Sequence, residues 1–181
     1  MMKYIECKLL NNSDLNAINN GGGGKIKNLL FNESFSFTFW FRIGSWLEYS
    51  NHGFLRFIFT LFYRRKMRRT GRQIPLGTRI GGGFRLIHYG TVVIHRKAII
   101  GKNCTILHNV TIGKTHKGVP SIGDNVMIGA NAVLVGPIHV GNNVVIGAGS
   151  VVVKDVPDNA CVAGNPGRIV SQNGLIAGKG Y

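Results

Sequence analysis

Acidic residues are scarce in this sequence and absent from its middle. The 181 residues contain 22 Lys and Arg but only 7 Asp and Glu, a formal net charge of +15, and none of the acids lies between Tyr49 and Gly123. Such a charge favours anionic partners, such as phosphate groups or an anionic membrane surface. Nucleic acid is not expected as a partner, because no recognised nucleic-acid-binding motif accompanies the charge.

Cysteines and long apolar runs are also scarce. The three cysteines, Cys7, Cys104 and Cys161, are odd in number and far apart. This spacing argues against a disulfide framework and against a zinc site, so no metal is expected. The N-terminal stretch lacks the basic-then-apolar layout of a signal peptide, which favours a cytoplasmic location. The apolar segment 54–63 is too short to span a bilayer and contains Arg56.

The segment 54–69 joins that apolar, aromatic run to the densest basic run of the chain, RRKMRR at 64–69. Aromatic and basic residues together are typical of a helix that lies on an anionic membrane surface. This reading predicts peripheral contact with the inner face of the membrane. The alternative is a helix whose aromatic residues pack on the main domain while its basic end is solvated.

Glycine, in contrast, is abundant, with 26 residues, about twice the usual share. The stretch NNGGGGK near 19–25 is typical of a flexible linker. We therefore predict a helical, basic and aromatic N-terminal arm over 1–72, a β-domain over 73–170 and a C-terminal tail over 171–181. The segment 1–33 is expected to contribute nothing to the β-domain.

Large aliphatic residues recur at every sixth position over much of the β-domain. A helical period of 3.6 cannot keep such residues on one face, and the Gly, Asn and Asp between them would break long strands. Three six-residue sides, each followed by a tight turn, make a triangular coil of 18 residues, and stacked coils make a parallel β-helix. Ordinary β-hairpins would need irregularly spaced turns. The repeating positions are Ile80, Leu86, Ile94, Ile100, Ile106, Ile112, Ile122, Ile128, Leu134, Val140, Ile146 and Val152.

Two insertions interrupt the six-residue spacing, and each carries a histidine. The step between aliphatic residues is eight around His88 and ten around the segment 114–120, which includes His116. Insertions in a solenoid form loops on one face and commonly build the functional site. His108 occupies the same position in its repeat as His88, so the two rings are expected one coil apart on one face.

Three stretches together resemble a known family: FRLIHYGTVVIHRKAIIGKNCTILHNVTIGKT, SIGDNVMIGANAVLVGPIHVGNNVVIGAGSVVVKDVP and AGNPGRIV. They are similar to the serine acetyltransferase branch of the hexapeptide-repeat acyltransferase superfamily, which includes many O-acetyltransferases of capsular and lipopolysaccharide sugars. The resemblance covers about residues 74–170. It implies a left-handed parallel β-helix, acetyl-CoA as co-substrate, and a homotrimer with each cleft between adjacent chains.

The resemblance also implies roles for individual residues. His88 matches the catalytic histidine of the family, and histidine is well suited to accept a proton at neutral pH as a general base. The residues expected to bind or orient the acceptor are Gln73, His108, Asn109 and His116. Turn glycines let a coenzyme approach the backbone, and basic side chains meet its phosphates. The residues expected to bind acetyl-CoA are Lys114, Gly129, Ala130, Gly147, Ala148, Lys154, Asn165 and Arg168.

The sequence departs from serine acetyltransferases at positions that serve an amino-acid substrate. The aspartate that orients the family's histidine is Gln73 here, the acid before the histidine is Ile87, and the Arg-His pair before Pro120 is replaced by HKGV. Because a neutral sugar does not need these groups, we expect O-acetylation of a sugar or polysaccharide precursor. The alternatives are serine O-acetylation in cysteine biosynthesis and a non-catalytic trimeric scaffold that binds surfaces.

Overall fold

A computed structural model describes residues 4–18, 24–50 and 52–172 of the chain. The predicted glycine-rich linker falls largely on 19–23, and the predicted tail largely on 173–181, both outside the described residues. The helices are α1 (Tyr4–Ile18), α2 (Lys25–Phe31), α3 (Glu33–Leu47) and α4 (Gly53–Thr70). The strands are β1 (Arg72–Gln73), β2 (Arg79–Ile80), β3 (Arg85–Leu86), β4 (Val92–Ile94), β5 (Ile99–Ile100), β6 (Thr105–Ile106), β7 (Val110–Gly113), β8 (Ser121–Ile122), β9 (Met127–Ile128), β10 (Val133–Val135), β11 (His139–Val140), β12 (Val145–Ile146), β13 (Val151–Val152), β14 (Cys161–Ala163) and β15 (Arg168–Ser171).

The strands form three sheets, which are the three faces of a prism. Sheet A contains β1, β4, β7, β10 and β13, sheet B contains β2, β5, β8 and β11, and sheet C contains β3, β6, β9, β12, β14 and β15. Strands one coil apart pair in parallel, as Val92 does with Val110 in sheet A, except that β15 pairs antiparallel with β14. The predicted parallel β-helix with N-terminal helices is therefore confirmed.

The repeating aliphatic residues fill the interior of the prism. All of the predicted positions are buried, from Ile80 at 6% exposed to Ile106 and Leu134 at 0%. Burying one such side chain contributes about 1.5–3 kcal/mol to stability. Because the turns between them are short, each aliphatic residue stacks on its counterpart in the next coil, and the core exists only when coils stack.

A ladder of asparagines forms the corner between sheets B and C. Asn103, Asn125, Asn143 and Asn159 all have left-handed backbones, with φ between 54° and 59°. Asparagine tolerates this conformation better than most residues because its short side chain can hydrogen-bond locally. Each side-chain amide donates to the amide oxygen of the next asparagine at 3.0 Å. The ladder thus keeps successive coils in register.

The two ends of the prism are covered. At the N-terminal end, Phe37 and Phe41 of α3 and Tyr63 of α4 join the core, and the Tyr63 hydroxyl donates to the Ile74 carbonyl at 2.9 Å. At the other end, β15 turns back and pairs antiparallel with β14. The final coil therefore does not present an open parallel edge on sheet C.

A buried ion pair anchors α1 and α3 to the first coil. The Arg42 Nε donates to an Asp14 carboxylate oxygen at 2.9 Å, and its terminal nitrogens donate to the carbonyls of Ile80 and Gly81 at 2.5 and 2.6 Å. Asp14 also accepts the backbone N–H of Phe84 at 3.0 Å. The expectation that residues 1–33 contribute nothing to the coils is therefore wrong. No local pattern in the sequence reveals a contact between residues so far apart in the chain.

Candidate active site

His88 lies in the first insertion, between β3 and β4, with an exposed side chain. Its φ is 67°, in the left-handed region that histidine seldom adopts, and Gly90 two residues later has a φ of 145°. The insertion therefore turns the chain outward at this histidine. The His88 ring faces the His108 ring at a centroid distance of 6.0 Å and an interplanar angle of 75°. The prediction that the two rings lie one coil apart on one face is confirmed.

His108 brings an unpaired polar atom to this place. Its Nδ1 is buried and has no hydrogen-bond partner within the part of the chain that the structure describes. A buried polar atom without a partner costs about 1–3 kcal/mol. The chain alone therefore leaves the hydrogen bonding of His108 incomplete beside His88.

Arg72 connects the His88 loop to the start of α3. The residue is 2% exposed, its Nη2 donates to the His88 carbonyl at 3.2 Å, and its Nη1 donates to the Glu33 carbonyl at 3.3 Å. Its guanidinium also lies 5.6 Å from the centre of the Phe37 ring. Burial lowers the pKa of Arg72 below its ordinary value, whereas the nearby Glu33 charge opposes that change. Arg72 thus holds the backbone of His88 from the interior.

A cleft of about 450 Å³ opens beside His88, and we refer to it as the His88 cleft. Its size is in the range of small-molecule sites. Of the described residues that line it, Glu33 alone carries a carboxylate, and one of its oxygens lies 4.0 Å from the Arg72 Nη1. Tyr89 and Phe31 line the opening with largely exposed rings, at 79% and 82%. The cleft therefore combines a base, a carboxylate, a cation and aromatic faces.

Several predicted site residues share one corner of the prism with His88. The strand register stacks the turns after β3, β6, β9 and β12, so His88, His108, Ala130 and Ala148 follow one another along the corner between sheets C and A. A Cβ on Gly129 would lie 2.6 Å from the Ala148 nitrogen, so only glycine fits there. Gly147 lies in the next turn, and Asn165 lies after β14 at the end of the same corner.

Other predicted residues lie elsewhere in the same chain. Lys114 and Lys154 are exposed after β7 and β13, on the corner between sheets A and B, and His116 is exposed in the loop that follows Lys114. Arg168 is exposed at the start of β15. The structure does not bring these side chains to the His88 cleft of their own chain.

Gln73 and Asn109 lie outside the His88 cleft of their own chain. Gln73 is exposed and does not line the His88 cleft, and its neighbour Arg72 makes the contact with the His88 loop instead. The Asn109 side chain accepts the Thr91 N–H at 3.2 Å and donates to the asparagine of the next coil at 3.2 Å. Asn109 is therefore committed to the turns rather than free to face a ligand.

Two residues of the cleft, Arg72 and Glu33, were not predicted from the sequence. A signal for Arg72 exists, because strict alternation with the buried Ile74 places it on the inner side of the strand. No local signal identifies Glu33, which α3 brings from a distant part of the sequence. Among the residues the structure describes, no group of three or more His, Cys, Asp or Glu side chains could hold a metal ion.

Comparisons with known families and with solved structures point to related proteins. The family described as bacterial transferase hexapeptide (six repeats) matches residues 120–154. The serine acetyltransferase of Neisseria gonorrhoeae, solved in complex with serine, is 34% identical, with a TM-score of 0.79 over 93% of this chain and 70% of that one. The serine acetyltransferase of Brucella abortus, solved in complex with coenzyme A, is 30% identical, with a TM-score of 0.80 over 94% of this chain and 70% of that one.

Curated proteins that match by sequence include serine acetyltransferases as well. The serine acetyltransferase of Staphylococcus aureus strain Mu50 is 44% identical over 116 residues, which are 62% of this chain and 54% of that protein. The chain spans about a quarter to a half of the length of the curated relatives it matches. These comparisons support the superfamily and do not support a special closeness to sugar O-acetyltransferases.

Proposed function

Because the chain belongs to the serine acetyltransferase family of hexapeptide-repeat transferases, we propose that it transfers the acetyl group of acetyl-CoA to a hydroxyl group, with L-serine as the acceptor. The observation that carries the proposal is the left-handed turn that presents His88 at a cleft with one carboxylate and one buried guanidinium. The relatives support the acceptor and the donor, since one was solved with serine and another with coenzyme A.

In this reaction His88 acts as the general base. Its imidazole accepts the hydroxyl proton as the acceptor oxygen attacks the thioester carbon, so that a C–O bond forms while the C–S bond breaks. The proton then passes to the coenzyme A thiolate. We place the coenzyme along the turns of Ala130 and Ala148, which follow His108 on the same corner of the prism. His108 stands one coil away to orient the acceptor.

The charged groups of the His88 cleft suit a zwitterionic acceptor better than the residues of the coils alone suggest. Gln73 and Ile87 stand where the family carries acids, which had favoured a neutral acceptor. Glu33 of α3, however, supplies a carboxylate for an ammonium group, and it is held beside the cleft by the buried Arg72, 4.0 Å away. An unpaired ammonium in such a cleft would otherwise incur a desolvation cost of several kcal/mol.

Glu33→Gln is expected to raise the KM for L-serine by about tenfold or more, because hydrogen bonds to charged groups contribute about 1.5–3 kcal/mol. The KM for acetyl-CoA should stay unchanged. The measurement is steady-state release of coenzyme A, and the control is Glu6→Gln, which neutralises an exposed acid on α1. An unchanged KM for L-serine in the Glu33 variant would remove Glu33 from the acceptor site.

A sugar hydroxyl is the second candidate acceptor. The comparisons do not support it, but two features of the His88 cleft favour it: the exposed rings of Tyr89 and Phe31, and an apolar Ile87 beside the base. The same assay with L-serine, nucleotide-linked sugars and lipid-linked sugars separates the two. A kcat/KM for a sugar at least about 10²-fold above that for L-serine would select the sugar, a ratio that matched polar contacts can produce.

We propose a homotrimer whose sites lie between chains. Support comes from the two corners, since His88 stands on the corner between sheets C and A while Lys114, His116 and Lys154 lie towards the corner between sheets A and B. A closed threefold ring brings one kind of corner against the other at every interface. Light scattering should give three times the mass of the 19.8 kDa chain. A monomer that turns over normally would refute shared sites, and absence of acetyl-CoA binding would favour the scaffold.

A further inference from the structure

Helix α4 exposes a large apolar surface. Its first half presents six exposed apolar side chains, with exposed fractions between 46% and 77%: Phe54, Leu55, Phe57, Ile58, Leu61 and Phe62. The opposite side of the helix packs inward through Tyr63, which is 1% exposed, and through Phe59 and Met67. At 3.6 residues per turn Phe54, Phe57, Ile58 and Leu61 lie on the side opposite Tyr63, and Leu55 and Phe62 lie on the flank of that side. Contiguous apolar patches of this kind mark interaction surfaces.

The second half of α4 continues the same side with positive charge. Arg64, Arg65, Arg68 and Arg69 are exposed, and Gly53–Thr70 contains no acid. Arg65, Lys66 and Arg69 also line a second cleft of about 420 Å³, which we call the Lys66 cleft. The Lys66 Nζ donates to the Ser36 hydroxyl at 3.2 Å.

Few acids oppose this charge. Glu33 is near Lys66 and lines the Lys66 cleft, but it also pairs at 4.0 Å with Arg72. Glu48, at the other end of α4, pairs with Arg96 at 2.5 Å. The exposed side of α4 is therefore apolar at one end and strongly cationic at the other.

We infer that α4 docks on an anionic lipid bilayer, with its apolar half at the boundary between headgroups and acyl chains and its arginines on lipid phosphates. Among the described residues, no helix is long and apolar enough to cross a membrane, so α4 would lie on the surface. Apolar and basic residues on one helix face suit such binding, because apolar burial and attraction to anionic lipids both contribute to the binding free energy. The Lys66 cleft would face the headgroups and shares Glu33 with the His88 cleft. This inference does not depend on the proposed acceptor.

The test is flotation of the full chain with vesicles of phosphatidylcholine, with and without phosphatidylglycerol. Wild type should bind the anionic vesicles far more strongly, and salt should weaken the binding. Combining Arg64→Gln, Arg65→Gln and Arg68→Gln should weaken it by about 10²-fold, because each arginine near the surface contributes a factor of about five. The matched control, Arg79→Gln with Lys97→Gln and Lys102→Gln, removes three exposed charges from the β-helix and should retain most of the binding.

A second variant tests the apolar half. Combining Phe54→Ser, Ile58→Ser and Leu61→Ser should also weaken binding at least tenfold at high salt, where charge attraction is screened. Coenzyme A binding should be unchanged in every variant, which checks the fold. Equal binding by wild type and the α4 variants, or no binding to anionic vesicles, would overturn the inference. So would an α4-dependent rise in mass by light scattering without vesicle binding, because that result would assign the surface to a second copy.

Discussion

Replacing His88 by alanine is expected to lower kcat by a factor of about 10² to 10⁴, the usual contribution of a general base. The imidazole is the group that would take the proton of the acceptor hydroxyl, and the methyl group of alanine cannot accept a proton. The KM for acetyl-CoA should change little, because the coenzyme positions lie further along the corner, at Gly129 and Gly147. The measurement is coenzyme A release at saturating acetyl-CoA, with the best acceptor of the panel.

The control for this prediction is His52→Ala. His52 is also exposed, and it precedes α4 without capping it through its side chain. Its loss should leave turnover near that of wild type, and both variants should assemble and melt normally. If the His88 variant keeps more than about a third of normal turnover, His88 is not the general base.

Replacing Arg72 by methionine is expected to lower kcat by about 10- to 10²-fold while the KM for acetyl-CoA stays constant. Methionine retains much of the apolar stem but leaves the carbonyls of His88 and Glu33 without their donor. The strained backbone of His88 then relaxes, and a displacement of about 1 Å can reduce catalysis by about 10². Arg72 is thus a positioning residue, because it acts on catalysis through His88.

Two comparisons distinguish positioning from general support of the fold. Arg85→Met removes another arginine that lines the His88 cleft. Arg85 donates to the Thr105 hydroxyl at 3.0 Å and does not contact the His88 loop. This variant should therefore lower kcat much less than Arg72→Met does. Side-chain NMR of the histidines provides a readout without activity. The His88 signal should move in the Arg72 variant, and an unmoved signal with unchanged kcat would contradict the role. Arg72→Lys should restore part of kcat.

The six-residue repeat made the β-helix predictable from sequence. Each large aliphatic residue must point inward in a stacked coil, so its period reveals the faces directly, and the asparagines mark corners that need a left-handed backbone. The same counting predicted that the rings of His88 and His108 lie one coil apart on one face. Such arguments succeed because each concerns residues one coil apart, where the repeat fixes the geometry.

The acceptor side of the site could not be predicted in the same way. Counting along the coils revealed the missing acids at Gln73 and Ile87, and it suggested a cleft without a carboxylate. Glu33 reaches the cleft from α3, and α3 is held in place by the buried pair of Asp14 and Arg42. Contacts between the arm and the coils follow no period, so the pattern that revealed the core contained no information about them.

The covered ends of the prism have a consequence for what the chain can become. A parallel β-helix with bare ends offers unpaired backbone groups on which further strands, its own or those of another copy, can add without limit. Here aromatic residues of α3 and α4 cover the first coil, and the antiparallel β15 occupies the last position of sheet C. β15 runs against β14, so the parallel pattern of sheet C ends with this strand, and the first coil of another copy cannot simply extend that pattern. End-to-end stacking of prisms therefore meets helices at one end and a reversed strand at the other, which favours association through the sides of the prism.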